Sequence, residues 1–247
     1  MEFIFILVTT FVATALSAMS GGGSSMIILP VFLWLGIPFP LATATQKLSA
    51  TFWVLPAAYN YLKNRKINWR FIVLFSGIGL FGSYFGVLLV LNLNQSLAKI
   101  MIGAFVLLLV THTYFKKDLG LKEKKGHSKY RQFMAYPFSI LLGFYESIFG
   151  AGNGIAFAII SFYTRGFDFI DALGYYFAIA FPWVLFATVI LMGKGFYSFP
   201  IMVPATVGSI LGGFVGSKYA IYKGNKFIKN VFVIIGGILG IKLLIGF

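Results

Sequence analysis

The chain has 247 residues, of which 59% are hydrophobic and only 11% charged, against roughly 25% charged in ordinary soluble domains. A water-soluble domain of this size is excluded, and the apolar runs identify a polytopic helical membrane protein. The formal net charge of +14 would suggest nucleic acid in a soluble protein, but here the basic residues cluster between apolar segments and set membrane topology; no nucleic-acid partner is expected.

The first apolar piece, Phe3–Met19, lacks a positive start, since Glu2 is its only early charge. It also runs straight into more apolar sequence, so it is read as part of the mature chain and not as a signal peptide. Ser20-Gly21-Gly22-Gly23-Ser24 then breaks the run, and Ser25–Leu35 follows. At 1.5 Å per helical residue this second piece is too short to span upright. The two pieces are expected to form a helical hairpin or re-entrant element.

Leu41–Leu62, Phe71–Leu91 and Leu97–Phe115 approach the roughly 20 residues that cross a bilayer core. Their continuous apolarity argues against a β-barrel, whose strands alternate. Lys47 sits about two turns into the first of them, beside Gln46 and after Thr43 and Thr45. It is either a countercharge for an anion or a side chain that snorkels over roughly 9 Å of helix to the interface. Gly82 and Gly86 recur at i and i+4, a spacing that serves close helix packing. Lys63, Arg65, Lys66 and Arg70 mark one loop as cytoplasmic, as do Lys116, Lys117, Lys122, Lys124, Lys125, Lys129 and Arg131 in the central linker.

A second set of segments begins after the linker. Shifting the chain by 130 residues, the distance from Trp53 to Trp183, aligns the halves without a gap. Trp53-Val54-Leu55 falls on Trp183-Val184-Leu185, Ser17 on Ser147, Gly22 on Gly152, Gly36 on Gly166, Gly82 and Gly86 on Gly212 and Gly216, and Lys99 on Lys229. This self-similarity reads as duplication: a first membrane repeat over 1–115, a basic linker over 116–131 and a second repeat over 132–247. Phe133–Phe149 and Ile155–Thr164 repeat the broken pair, split by Gly150-Ala151-Gly152-Asn153-Gly154, and Ala172–Met192, Pro200–Ile221 and Phe227–Phe247 repeat the spans.

Charge sets the orientation. Lys218, Lys223, Lys226 and Lys229 flank another basic turn, whereas the loop at Gly193–Phe199, equivalent to the first basic loop, holds only Lys194. Equivalent loops with opposite bias predict halves inserted upside down relative to each other, with both termini outside and the linker inside. The expected fold is an all-α bundle of two inverted-topology repeats, each a Gly-broken hairpin plus three spans.

Glycine breaks inside apolar segments free backbone N–H and C=O groups that lipid cannot satisfy. Two breaks at corresponding positions point to a transporter substrate site. A helix restarting after a break offers unpaired N–H groups and the positive end of its dipole, which suits an anion. Candidate substrate contacts are therefore Ser20, Gly21, Gly22, Gly23, Ser24, Ser25, Thr45, Gln46, Lys47, Gly150, Gly152, Asn153 and Gly154. Glu146, one turn before the second break, is either a proton-coupling carboxylate or the partner of Lys47. Arg165, Asp168 and Asp171 are assigned to a water-facing loop. Tyr59, Tyr175 and Tyr176 are read as path-lining residues or as an interfacial belt.

There is no cysteine, so thiol chemistry and disulfides are absent, and the isolated His112 and His127 do not make a metal site. No nucleotide-binding motif occurs, and no paired acids or oriented serine suggest an intramembrane enzyme; no cofactor is expected. A channel is the alternative to a carrier.

The pattern SGGGSSMIILPVFLWLGIPFPLATATQKLSA over 20–50, then YLKNRKINWR over 61–70, with GFYESIFGAGNG over 143–154, resembles the sulfite exporter TauE/SafE family across essentially the whole chain. The resemblance implies a bacterial or archaeal inner-membrane permease for small anions, with sulfite and organosulfonates as the associated substrates. It carries over Gly21, Gly22, Gly23 and Ser24 as the first glycine motif, and Gly150, Gly152 and Gly154 as the second. Gln46-Lys47, Asn153 and Glu146 depart from the family pattern. The expected partners are a small anion and membrane lipid, and self-association into a homo-oligomer is left open.

Overall fold

The computed structural model describes residues 2–90, 95–124 and 128–245, with the side chains of 95–99 excepted. Lys125, His127, the Lys99 side chain and the segment ends Leu91 and Phe247 lie outside what is described. Among the described residues the chain forms eleven helices and no strand, which disposes of a barrel. They are α1 (Glu2–Ser20), α2 (Ser24–Trp34), α3 (Phe39–Leu62), α4 (Trp69–Val90), α5 (Gln95–Phe115), α6 (Lys129–Phe133), α7 (Pro137–Ile148), α8 (Asn153–Arg165), α9 (Phe169–Gly193), α10 (Phe199–Lys223) and α11 (Asn225–Ile245).

Local chemistry sets these boundaries. Gly21, Gly22 and Gly23 hold φ of 83°, 113° and 127°, values open to glycine and costly to other residues, so α1 stops and α2 restarts. Gly150 and Gly152, at φ 68° and 75°, do the same between α7 and α8. Prolines in the first turns of α3, α7 and α10 sit where their missing N–H costs nothing. The Asp168 carboxylate caps α9, accepting from the Asp171 N–H at 2.8 Å.

Among the described residues five helices, α1, α4, α9, α10 and α11, are long and apolar enough to cross a membrane. α3 has the length, 24 residues or about 36 Å, but carries a polar stretch from Thr43 to Thr51 that is buried inside the bundle. Burial runs opposite to that of a soluble protein. α4 and α10 turn Gly79, Gly82, Gly86, Gly208, Gly212 and Gly216 inward, and expose Val73, Phe81, Phe85, Val207, Leu211 and Val215.

Both broken pairs fold back on themselves. Trp34, at the end of α2, lies with its ring 6.2 Å from Phe5 near the start of α1. In the second pair, Asn153 Nδ2 donates back to the Leu142 carbonyl at 3.0 Å, and the Arg165 guanidinium lies 6.0 Å from the Tyr136 ring just before α7. Each hairpin packs on a helix from the other half of the chain. A Cβ placed on Gly208, Gly212 or Gly216 of α10 would strike the carbonyls of Leu7, Phe11 and Ala15 in turn, so α1 and α10 run parallel at backbone contact. Gly82 and Gly86 of α4 meet Ile140 and Phe144 of α7 in the same way.

Corresponding helices start at a constant offset: α3 and α9 at 39 and 169, α4 and α10 at 69 and 199, α5 and α11 at 95 and 225. Two of these pairs also touch, and both are antiparallel. Thr51 Oγ1 of α3 lies 3.1 Å from Thr188 Oγ1 of α9, while Tyr61 and Leu62 abut Gly174. Gly103 of α5 lies by Gly240 and Leu244 of α11, and Val110 lies by Gly236.

The basic loops gather at one end. The Lys124 N–H donates to the Gly166 carbonyl at 2.8 Å, and Phe169 N–H to Gly120 at 2.9 Å. Lys229 Nζ donates to the carbonyls of Lys116 and Lys117 at 2.6 and 3.0 Å. Arg65 pairs with Asp171 at 3.2 Å. Here the expectation of a water-facing loop at Arg165, Asp168 and Asp171 is corrected. Asp168 is buried and accepts from Asn225 Nδ2 at 3.0 Å, Asp171 belongs to α9, and Arg165 ends α8 with its guanidinium 3.5 Å from the Phe71 ring centre. The N-terminus of α9 draws the carboxylates and the Phe71 face draws the guanidinium, and these contacts offset part of the cost of burying the charges.

Candidate substrate site

The two glycine breaks meet. A Cβ on Gly22 would lie 3.3 Å from the Gly150 carbonyl oxygen and 3.6 Å from the Gly152 nitrogen, and one on Gly154 would strike the Gly21 carbonyl. This approach explains why both tips need glycine: any side chain would push the hairpins apart. α2 leaves the contact with the N–H groups of Gly23, Ser24 and Ser25 at its open end.

On one side of the contact lies a cavity of about 20 Å³, lined by Gly22, Gly23, Ser24, Ser25 and Gly150, by Ser17 of α1, by Gln46 and Trp53 of α3, and by Glu146 and Tyr176. A second cavity, of about 10 Å³, reaches Ser17, Ser20, Gly22, Gly23 and Gly152. Each is on the scale of a single water molecule, so a polyatomic anion fits only if the helices part.

Glu146 is buried against this cavity. Its Oε2 accepts from Asn153 Nδ2 at 2.8 Å and from the Tyr176 hydroxyl. Lys47 stands behind it, fully buried, its ammonium donating to the Glu146 backbone carbonyl and not to the carboxylate. That carbonyl belongs to the last turn of α7, where carbonyls lack helical partners and the dipole is negative, so a cation is favoured there. Thr45 donates to the Leu41 carbonyl at 2.8 Å within its own helix, and Ser20 to Leu16 at 2.8 Å. Gly21 packs on Leu173 and Ile155.

Of the residues selected from sequence, Gly22, Gly23, Ser24, Ser25, Gln46, Glu146 and Gly150 share one cavity. Ser20 and Gly152 border the smaller one. Asn153, Gly154 and Lys47 support the walls from behind, and Thr45 is held away within α3. Tyr176 belongs to the site and not to an interfacial belt, while Tyr59 is exposed and Tyr175 bonds the Asn68 N–H at 2.7 Å. Ser17 and Trp53 line the cavity and were not selected. Both had appeared in the duplication, where they served as register marks.

A profile of the family described as Sulfite exporter TauE/SafE matches residues 6–243. The chain belongs to the TauE/SafE family. A relative from Haemophilus influenzae, named a probable membrane transporter protein, is 30% identical over 237 residues, covering 94% of this chain and 91% of its own. A Sinorhizobium protein named probable membrane transporter protein ORF9 is 29% identical over 243 residues, covering 97% and 91%. Escherichia coli YfcA, also named a probable membrane transporter protein, is 24% identical over 235 residues, covering 90% and 82%. The meeting hairpin tips are thus a feature of a TauE/SafE membrane protein with several apolar helices.

Proposed function

We propose that the chain is a secondary transporter that moves a small anion, sulfite or an organosulfonate, across a bacterial or archaeal cytoplasmic membrane by alternating access. The observation that carries this reading is the meeting of two glycine-tipped hairpins, one from each half, at a buried cavity with open helix N–H groups. Irregular backbone at depth is tolerated where it lines a cavity, and the broken helices of carriers use it to hold substrate.

Alternating access follows most simply from inverted repeats. The antiparallel packing of α3 on α9 and of α5 on α11 supports inversion, because an axis relating antiparallel equivalents lies across the helices and not along them. The gathering of the basic loops at one end supports a cytoplasmic assignment for that end. The narrowness of the cavity supports a cycle in which the halves rock apart to admit substrate.

Glu146 gives the proposal its coupling. An anion arriving in the same buried cavity as a carboxylate meets strong repulsion unless that carboxylate carries a proton. Anion and proton therefore travel together. Proteoliposomes loaded with the purified protein should take up labelled sulfite or a small sulfonate saturably, faster with an inward proton gradient. Glu146→Gln should transport without responding to the gradient. Wild-type protein that is folded yet carries none of sulfite, sulfate or sulfonate above empty vesicles would end the anion reading. Unsaturable flux without counterflow would replace the carrier by a channel.

A further inference from the structure

The two halves treat equivalent tryptophans differently. Trp183 is fully buried, and its indole N–H donates to the Ser76 carbonyl at 2.8 Å. Trp53, its equivalent at the 130-residue offset, is 4% exposed, yet its Nε1 has no acceptor. Its ring packs edge-on against Phe177 at 5.1 Å and walls the cavity at the start of α2. An indole N–H buried this deeply normally finds a partner.

Ser17 is likewise unpartnered, and it is the buried hydroxyl of that kind among the described residues that shares this cavity with Trp53. Hydroxyls in an apolar helix usually donate to the carbonyl one turn back, as Thr10, Thr14 and Ser20 of α1 all do. Ser17 is 2% exposed and its Oγ bonds nothing. Ser147, its equivalent, is also unpartnered, but it packs beside Gly86 of α4 and does not line the cavity. Two orphaned donors from α1 and α3 thus share a cavity with the free N–H groups that open α2.

We propose that the Trp53 indole N–H and the Ser17 hydroxyl, together with the first N–H groups of α2, form the oxyanion-binding face, and that Trp53 determines specificity. The ligand class is a multi-oxygen anion such as sulfite or a sulfonate head, whose separate oxygens can each take a donor from a different helix. The two breaks then divide the work: the first half supplies donors for the anion, and the second supplies Glu146 for the proton. This inference rests on the proposed anion-transport reading and names the residues that perform it.

The test is sulfite affinity in three variants, measured as KM for uptake and as Kd by calorimetry on purified protein, with thermal unfolding as the control. Trp53→Phe keeps an aromatic ring, smaller than the indole, and removes the N–H. It should weaken sulfite binding by about 10- to 100-fold, the effect of losing a hydrogen bond to a charged group, and should melt closer to wild type than Trp183→Phe does, because both lose the same ring volume but only the Trp183 change leaves a protein acceptor unpaired. Ser17→Ala should weaken binding in the same direction with unchanged melting. Trp183→Phe should melt lower and bind sulfite as wild type does. Wild-type affinity in both Trp53→Phe and Ser17→Ala would overturn the inference while leaving anion transport standing. Absence of sulfite binding in the wild type would instead remove the transport reading first, before any variant is compared.

Discussion

A buried ammonium must find acceptors, and Lys47 finds one at the end of α7. Its Nζ reaches the Glu146 carbonyl, which no helical N–H can satisfy. The contact ties α3 to the second hairpin beside the cavity. Lys47→Met should therefore cost stability, about 2 kcal/mol for a hydrogen bond to a charged group, read as a lower melting temperature in detergent; a melting curve identical to wild type would refute this tether. The depth of Lys47 and Glu146 was legible from their place in apolar segments, because charge there is expensive. Their arrangement was not. Whether an ammonium meets a carboxylate or a backbone carbonyl depends on how α3 crosses α7, which no local pattern encodes. Ser17 and Trp53 were invisible as site residues for a related reason. Serine and tryptophan in an apolar helix become informative only when a partner is found to be missing.

At the scale of elements, glycine spacing governs how closely helices approach. Gly82 touches the Ile140 carbonyl of α7 at its backbone, whereas Gly77 on the same helix has nothing within 4 Å of its Cβ position. Gly82→Ala should force the α4–α7 contact apart and destabilise by roughly 1–3 kcal/mol, as overpacking does. Gly77→Ala should stay within about 0.5 kcal/mol of wild type. Thermal unfolding of the pair side by side decides the point, and equal melting of the two variants would contradict the contact. The sequence spacing identified Gly82 and Gly86 as packing positions and identified both breaks. It did not show which helix each glycine receives, because α1 and α7 choose partners across the chain and not along it.

At the scale of the whole molecule, the inverted reading makes a prediction about sidedness. The chain has no cysteine, so single cysteines can be introduced at Lys122 and Lys194 without background. A membrane-impermeant maleimide added to intact cells should label Lys194→Cys, and label Lys122→Cys only after the membrane is opened. Labelling of both from the same side would rule out the proposed topology. Ten of the eleven described helices and their offset were readable from hydropathy and self-similarity, whereas the short α6 and the exchange of hairpins between halves were hidden, since no apolar run or local pattern marks them. That exchange bears on how the protein is made. α1 emerges from the ribosome before the helix it beds against, α10, with α2 to α9 synthesised in between. Until then the backbone along α1 that will meet Gly208, Gly212 and Gly216 is left to lipid or to insertion machinery. A nascent chain stalled before Phe199 should consequently be open to quality-control proteolysis that the finished chain resists. Truncation, and not missense change in the second half, would then be the more damaging lesion to the first.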